Sequence, residues 1–280
     1  MINLVTKFTP YVDEMFTTES KKGLVTNQDF DWTGAHTIKI YKINTSAMND
    51  YDRAGTGSGA TGSRYGKVAS LNATTEEMTL TKDRSFTFAI DKLDTDETAQ
   101  QLAGATALAR QQREVIIPEV DTYTFNTMVT KAGTKASEVQ LTPTNIYEEI
   151  LKGSEVLDDN EVPDSERCLV VTPTTYKLLK QSADIILNTD ITAEMRLKGV
   201  IAMIDGLQVI KVPAKRLPEN FGFMLCHKVA TVSPVKLEDY TIHENPVGIS
   251  GALVEGRVVY DCFVLDNKAK AIYYQPVTGA

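Results

Sequence analysis

The residues that could do chemistry are few, and the most suggestive of them form a glycine-rich run. Gly57–Gly62 reads G-S-G-A-T-G, which is the glycine spacing of loops that bind dinucleotide phosphates. Such a loop needs a buried strand before it and a helix after it, because the phosphates bind at the helix N-terminus. Here a polar segment, 50–53, precedes the run and Lys67-Val68-Ala69-Ser70 follows it. We therefore interpret the run as a flexible loop tip that faces solvent, and no cofactor is expected.

Metal-binding and nucleophilic patterns are equally weak. The three histidines form no H-x-x-x-H pair, and the three cysteines are odd in number, far apart and without a C-x-x-C pair. The acidic stretch Asp158–Glu161 has Val162 and Pro163 where a calcium-binding loop needs an oxygen ligand and a glycine. The sequence also has no G-x-S-x-G elbow. We expect no metal, no disulfide and no catalytic centre, although the pattern leaves open a triad assembled from distant residues.

Length and composition describe a globular chain. The 280 residues, 42% hydrophobic and 24% charged, suffice for one large domain or two small ones with a self-sufficient core. The 29 basic and 37 acidic residues give a net charge of −8, which disfavours a protein whose main task is to grip phosphate backbones. The N-terminal residues lack the pattern of a signal peptide, and no stretch approaches the ~20 apolar residues that span a bilayer. These features predict a soluble, intracellular protein in a reducing compartment.

An arm and a long hairpin are predicted at the N-terminal end. Residues 1–34 show no sustained period, so they are expected either to fray or to rest on a surface of the same or another subunit. Ile38 and Ile40 alternate with polar residues as in a half-buried strand, and a matching alternation runs from Met78 to Ile90. We expect these two strands to pair around the glycine-rich tip. Because an isolated ribbon is only marginally stable in water, the hairpin indicates a supporting partner.

A long helix is predicted from Asp94 to about Thr130. Asp94 is of a type favoured at the N-cap of a helix. Glu97 follows three residues later, where its side chain can accept a hydrogen bond from the backbone N–H of the cap residue. Pro118 lacks a backbone donor and crowds the carbonyl of Glu114, so a kink or break is expected there.

The second half of the chain predicts a mixed lobe of helices and strands. Thr142-Pro143 and Thr172-Pro173 each combine a hydroxyl cap with a first-turn proline, and the apolar segment 168–171 between them is typical of a buried strand. Asp205-Gly206 between two apolar runs is a hairpin signal. A further pairing is expected between segments 253–265 and 269–274. The fold class is therefore α+β.

This order of elements resembles the tailed-phage major capsid proteins of the HK97 fold. The segment Gly199–Ile210 is similar to the Gly-x4-Ile-x-Gly-x-x-Val pattern common in such proteins. The resemblance implies an N-terminal arm (residues 1–34), a hairpin called the E-loop (35–92), a P-domain with a long spine helix (93–139 and 231–280) and an A-domain (140–230).

The resemblance also implies a function. The chain would be a structural major capsid protein, without catalysis, that assembles with itself as hexamers and pentamers into an icosahedral shell around a phage double-stranded DNA genome. A separate scaffolding protein and a portal would be partners, the packaged DNA would be contacted weakly and non-specifically, and no membrane would be involved. The location would be the virion, assembled in the host bacterial cytoplasm. Two alternatives stay open: the shell of an encapsulin-like protein compartment, and a soluble cytosolic α+β enzyme with an unrecognised site.

Charged residues supply the candidate contacts between subunits. We expect cations on the hairpin tip to face acidic groups on the spine helix of a neighbour. The tip cations are Arg53, Arg64 and Lys67, and the acidic candidates are Asp96, Glu97, Glu119 and Asp121.

Overall fold

A computed structural model describes residues 19–27, 29–30, 32, 37–43, 45–54, 64–66, 70–71, 73–97, 104–182 and 200–278. In chain order, the strands are β1 Thr37–Ile43, β2 Ala73–Thr79, β3 Lys82–Asp91, β4 Thr134–Lys135, β5 Arg167–Val171, β6 Val200–Ile204, β7 Leu207–Lys211, β8 Phe221–His227, β9 Thr231–Val232, β10 Val235–Glu244, β11 Gly251–Tyr260, β12 Phe263–Val264 and β13 Ile272–Pro276. The α-helices are α1 Lys92–Glu97, α2 Gly104–Gln111, α3 Ile117–Thr130, α4 Ile146–Asp159 and α5 Pro173–Gln181. The chain forms two compact units, one of Trp32–Leu80 and one of Met1–Asp31 with Thr81–Ala280.

The smaller unit contains the hairpin that the sequence predicts. Strands β1 and β2 pair antiparallel, with Thr37 opposite Thr79 and Ile43 opposite Ala73. Ion pairs link the strands on both faces, between Lys39 and Glu77 and between Lys42 and Glu76. The glycine-rich run 57–62 lies outside the described residues.

The expectation of one continuous strand from Met78 to Ile90 is wrong. Strand β2 ends at Thr79, and the next strand, β3, belongs to a different sheet. It pairs with β11 in a three-stranded sheet of order β10-β11-β3. The break coincides with Thr81, whose backbone N–H and hydroxyl both donate to the carboxylate of Asp261, at 2.8 and 2.9 Å. Alternation of apolar and polar residues is the same for either strand partner, so the pattern alone could not reveal this change of sheet.

The spine helix runs without a break from Gly104 to Thr130, but its pitch changes on the way. Gln112–Ile116 form a π-helical segment directly before α3, in which Pro118 occupies the first turn. Pro118 offers no N–H to the carbonyl of Glu114, and a local π turn is one way to accommodate that loss. The predicted break at this proline is therefore wrong, and the irregularity takes the form of a π-helical segment directly before α3.

The predicted cap at Asp94 is wrong by three residues. Helix α1 begins at Lys92, and the Asp91 carboxylate accepts a hydrogen bond from the backbone N–H of Leu93 at 2.8 Å. Asp91 also ends β3, so a single residue terminates the strand and caps the helix that follows.

The core of the larger unit is a six-stranded sheet of order β4-β13-β8-β5-β7-β6. Strands β5 and β8 are buried along their whole length, as the apolar segment 168–171 predicts. The Asp205-Gly206 hairpin is confirmed, with φ of 46° and 80° at the two turn residues. Thr172 caps α5 as expected by accepting the N–H of Thr175 at 3.0 Å, whereas α4 begins only at Ile146, after a turn that contains Thr142.

The predicted pairing of segments 253–265 and 269–274 is also wrong. Strand β11 lies between β10 and β3, while β13 crosses into the central sheet and lies between β4 and β8. A 3-10 helix, Asp266–Ala271, separates the two segments in place of a tight hairpin turn. Since β13 and β4 belong to segments assigned to the P-domain, the central sheet draws strands from both sides of the predicted domain boundary. The assignment of these boundaries remains a prediction.

Candidate functional site

The hairpin presents apolar side chains to solvent. Tyr41 and Ile43 lie two residues apart on one face of β1, and they are 74% and 71% exposed. The side chains directly opposite, Thr75 and Ala73, are too small to cover them. Large apolar side chains that share one exposed face indicate a surface covered by a partner.

The hairpin tip is held by contacts among its own residues. The rings of Tyr51 and Tyr65 meet edge to face with centroids 5.1 Å apart. The backbone N–H of Asp52 donates to the carbonyl of Arg64 at 2.9 Å, and the Asn49 amide donates to the carbonyl of Tyr65 at 3.3 Å. These contacts join residues 49–52 to residues 64–65 at the base of the tip.

Exposed charged residues of both signs lie in this part of the hairpin. Asp50, Arg53 and Arg64 are exposed, so two of the three predicted tip cations are placed where a partner could reach them. Lys67, the third, lies outside the described residues.

A cavity, here called the spine cleft, lies where α3 meets the first residues of β3. Its volume is about 430 Å³. The lining residues are Lys82, Arg84, Pro118, Glu119, Thr122, Tyr123, Asn126 and Tyr260. Of these residues, the sequence identified only Glu119 as a candidate. Lys82 and Arg84 belong to no recognisable motif, and they lie next to the helix only because β3 pairs with β11 in the folded chain.

Glu119 already has partners inside the chain. Its carboxylate accepts a hydrogen bond from the hydroxyl of Tyr260 at 2.9 Å and forms an ion pair with Arg84 at 2.8 Å. Both contacts are partly exposed. The Glu119 carboxylate therefore lies at the surface of the cleft, where it is already paired with a cation of the same subunit.

Tyr123 forms the wall of the cleft beneath Lys82. The Lys82 ammonium lies 5.1 Å from the centroid of its ring, and the Tyr123 hydroxyl donates to Asp261 at 2.8 Å. Burial and this hydrogen bond raise the pKa of Tyr123 to about 12, so the phenol is neutral and acts as a donor. The cleft thus combines a cation, a paired carboxylate and two phenol rings.

A second cavity, the acidic cleft, lies at the opposite end of β3. It has a volume of about 710 Å³ and contains three carboxylates, those of Asp91, Asp96 and Glu244, together with the side chain of Lys92. The predicted candidate Asp96 is therefore exposed in a surface depression. Glu97 is placed at the end of α1, but its side chain is not among those described.

Asp121 is not available to a neighbour, which corrects the sequence-based expectation. Its side chain is fully buried and pairs with Arg216 at 2.8 Å. It also accepts hydrogen bonds from the Ser20 hydroxyl at 2.6 Å and from the backbone N–H of Lys21 at 3.1 Å. Arg216 in turn donates to the carbonyl of Glu19 at 3.1 Å. This cluster, the arm anchor, fixes residues 19–21 onto the body of the same subunit.

The cysteine thiols are buried and free. Burial raises the pKa of Cys168 to about 11 and that of Cys262 to about 12. Among the described residues, no group of histidine, cysteine and acidic side chains could hold a metal ion. No helix in the described part of the chain is long and apolar enough to cross a membrane.

Comparison with known proteins identifies solved structures that have a similar fold. No family model and no curated protein matches the sequence. The chain is similar in structure to the mature capsid of bacteriophage PhiM1, with a TM-score of 0.74 and 13% identity over 99% of this chain and 93% of that chain. It is also similar to a structure from Mycobacterium phage Che8, with a TM-score of 0.68 and 16% identity over 100% of this chain and 98% of that one. A virus-like particle from Pyrococcus furiosus matches with a TM-score of 0.50 and 11% identity over 86% of each chain. The chain therefore has the HK97-like fold of phage capsid structures.

Proposed function

We propose that the chain is a major capsid protein, a structural subunit that assembles with itself into the icosahedral shell around a phage double-stranded DNA genome. The observation that carries the proposal is the similarity to the PhiM1 mature capsid over 99% of this chain and 93% of that chain. Agreement over the whole length matters because it includes the hairpin. An isolated two-stranded hairpin is only marginally stable in water, so its presence favours a partner that supports it.

The exposed groups of the hairpin support assembly on physical grounds. Tyr41 and Ile43 lose contact with water only if another surface covers them. A closed shell repeats each such contact many times, so weak individual contacts suffice to hold it.

The expected partners follow from the same proposal. The chain would form hexamers and pentamers with itself, would need a separate scaffolding protein and a portal, and would lie in the virion after assembly in the host bacterial cytoplasm. The net charge of −8 is consistent with weak, non-specific contact with packaged DNA.

Charge pairs that join the hairpin tip to α1 and the spine helix of a neighbour are the proposed specific contacts. Arg53, Arg64 and Lys67 remain the tip candidates, and Asp96, Glu97 and Glu119 remain their proposed partners. The Arg64→Ala variant should lose part of the salt sensitivity of assembly, because an exposed ion pair is screened by salt. Assembly yield is measured by sedimentation from low to high salt, with Lys177→Ala on the exposed face of α5 as the matched control. A salt response in Arg64→Ala equal to that of the parent would contradict the pairing.

The experiment that tests the proposed function is electron microscopy of the purified full-length chain, expressed alone and with a candidate scaffolding protein. Hollow shells or ring-shaped capsomers are expected, with a matching high-mass peak in size-exclusion chromatography. A monomer in both preparations would contradict the proposal.

A protein compartment is the second candidate function, favoured by the similarity to the virus-like particle from Pyrococcus furiosus. The contents of purified shells distinguish the two: packaged nucleic acid supports the genome container, and a co-purifying protein cargo supports the compartment.

A further inference from the structure

We propose that three residues of the larger unit, Tyr176, Lys180 and Lys211, form a contact site for the phosphate backbone of double-stranded DNA. We call this group the tyrosine platform. The inference rests on the proposed function, in which the shell surrounds DNA, and it goes further by naming the residues that touch the DNA. Each lysine binds a phosphate group, and the ring holds the two ammonium groups in place.

The three residues of the platform lie at one edge of the central sheet. Tyr176 and Lys180 are four residues apart on α5, the helix that follows β5. Lys211 is the last residue of β7, and its partner in the parallel ladder is Val171, the last residue of β5. Because neighbouring parallel strands end at the same edge of a sheet, Lys211 lies beside the helix that begins after β5.

The ring of Tyr176 is the centre of the platform. The Lys180 ammonium lies 5.4 Å from its centroid, and the Lys211 ammonium lies 5.5 Å from it. Tyr176 is half-buried and packs against the hydrophobic core, so its ring has a fixed position. Aromatic rings attract cations through their faces. The ring therefore holds two ammonium groups near one another although they carry like charges.

The positive charge of the platform is not neutralised locally. Lys180 and Lys211 are exposed, and neither forms an ion pair within the described part of the chain. The described segments 171–182 and 207–217, which include the platform, contain no aspartate or glutamate. Lys215 in the second segment is exposed as well. Two ammonium groups without a counter-charge repel each other, so an anion bound between them is favourable.

Duplex DNA has the chemistry that this arrangement requires. Its phosphates recur at about 3.4 Å of helix axis along each strand, so two lysines held beside one ring can contact neighbouring phosphates. The ring is already occupied by cations, which favours phosphate contact over stacking of unpaired bases. The chain as a whole repels DNA, because its net charge is −8. A local group of cations is therefore needed for a weak contact that does not depend on base sequence.

An acidic protein segment is the alternative ligand, and two observations favour DNA over it. The cations of the platform are lysines, which act as point charges, whereas arginine is the side chain that matches a carboxylate with two parallel hydrogen bonds. In addition, no large apolar side chain is exposed in the described segments 171–182 and 207–217. Protein interfaces usually contain an apolar centre of such side chains.

The test is binding of a fluorescent DNA duplex to the purified, unassembled chain, measured by fluorescence anisotropy between about 50 and 200 mM salt. Lys180→Gln combined with Lys211→Gln should weaken binding at least about tenfold at the lowest salt. The slope of log affinity against log salt should also fall by about two, since each phosphate contact contributes about 0.9. Lys180→Arg combined with Lys211→Arg keeps both charges and should bind like the parent.

The matched control removes two exposed lysines that already have acidic partners. Lys39 pairs with Glu77 on the hairpin, and Lys152 pairs with Glu148 and Glu149 on α4. Lys39→Gln combined with Lys152→Gln lowers the net charge by the same amount, but it should leave the salt slope unchanged. Equal losses in the two double variants would show that the duplex responds only to total charge, and they would overturn the inference.

Chemical labelling of lysines locates the contact directly. The parent chain is treated with an amine-acetylating reagent with and without the duplex, and the labelled sites are measured by mass spectrometry. The duplex should protect Lys180 and Lys211, while Lys39 and Lys152 should be labelled equally in both conditions. Equal protection of all four lysines would contradict a localised contact.

A polyglutamate peptide is the second probe, and it should bind more weakly than the duplex. If the Lys180→Gln and Lys211→Gln changes abolish peptide binding but leave duplex binding unchanged, the platform belongs to an acidic protein partner and the inference is wrong. Undetectable duplex binding by the parent at low salt would also overturn it. Neither result affects the proposed function, because shell formation is measured separately by electron microscopy. A parent chain that forms neither shells nor capsomers would contradict the proposed function, whatever its affinity for the duplex.

Discussion

The arm anchor shows how one carboxylate can join three distant parts of the chain. Asp121 lies on the spine helix, Ser20 and Lys21 on the arm, and Arg216 in the connection between β7 and β8. A buried charge is tolerated only when it is paired and fully hydrogen-bonded, and here the partners come from within the subunit.

Replacing Asp121 by Asn should strongly destabilise the subunit. The change keeps the shape of the side chain but removes the negative charge that pairs with the buried Arg216, and breaking a buried pair in this way costs about 3 kcal/mol or more. The measurement is the midpoint of guanidinium unfolding of the unassembled chain. Asp83→Asn, which breaks the exposed pair with Arg257, is the control and should leave the midpoint nearly unchanged. Equal midpoints for the two variants would show that the anchor contributes little.

At the scale of elements, the three-stranded sheet depends on a glycine that two aromatic rings cover. Gly256 on β11 has Phe86 opposite it on β3 and Tyr240 opposite it on β10. The two ring centroids lie 6.1 Å apart, above the glycine. Such cross-strand aromatic contacts stabilise a sheet, and only the absence of a side chain on Gly256 leaves room for them.

Gly256→Ala should therefore destabilise the sheet. A Cβ atom at this position would lie 2.3 Å from the ring of Phe86 and 2.7 Å from that of Tyr240, so both rings would have to move. Overpacking of this kind costs about 1–3 kcal/mol, which thermal unfolding would report as a lower Tm. Gly23→Ala is the control, because a Cβ atom there meets nothing within 4 Å. An unchanged Tm in Gly256→Ala would mean that the rings are not held over the glycine.

The sequence predicts elements well where the cause is local. The Asp205-Gly206 turn and the Thr172 cap both follow from the backbone chemistry of a few adjacent residues. It fails where the cause is distant. Nothing near β3 indicates that its partner is β11, and nothing near β13 indicates that it joins the central sheet.

The candidate site follows the same rule. The charge and glycine content of the segment predict a solvent-exposed hairpin tip, because this composition can be seen in the local sequence. The opposite surface could not be predicted, since Lys82 meets Tyr123 and Asp121 meets Arg216 only through the folded chain. Asp121 and Glu119 are two residues apart on one helix, yet the first is buried and the second lies at a cleft surface.

At the scale of the whole molecule, the central sheet joins distant parts of the larger unit. Strand β13, close to the C-terminus, lies between β8 and β4, and it pairs parallel with β4 and antiparallel with β8. Ile272 on this strand is fully buried, and so is the side chain of Gln275, whose amide donates to the carbonyl of Ser137 at 2.7 Å. The strand is therefore part of the core.

A chain that ends at Ala271 should fail to fold. Loss of β13 removes several core side chains and leaves β8 as an open, apolar strand edge, which promotes aggregation. The expected result is insoluble protein, measured as the soluble fraction after expression. A chain that ends at Val277 keeps the whole of β13. It also keeps the hydrogen bond from the backbone N–H of Val277 to the carbonyl of Asn220, and it should remain soluble. A soluble, folded chain ending at Ala271 would contradict this account of the core.

The position of β13 has a consequence for how subunits are made. Strand β13 must insert between two strands that are synthesised earlier, so the central sheet cannot close until β13 has left the ribosome. A prematurely terminated chain keeps an open sheet edge that chaperones and proteases can recognise, and it never reaches the native fold. The strand order thus couples closure of the central sheet to the synthesis of β13.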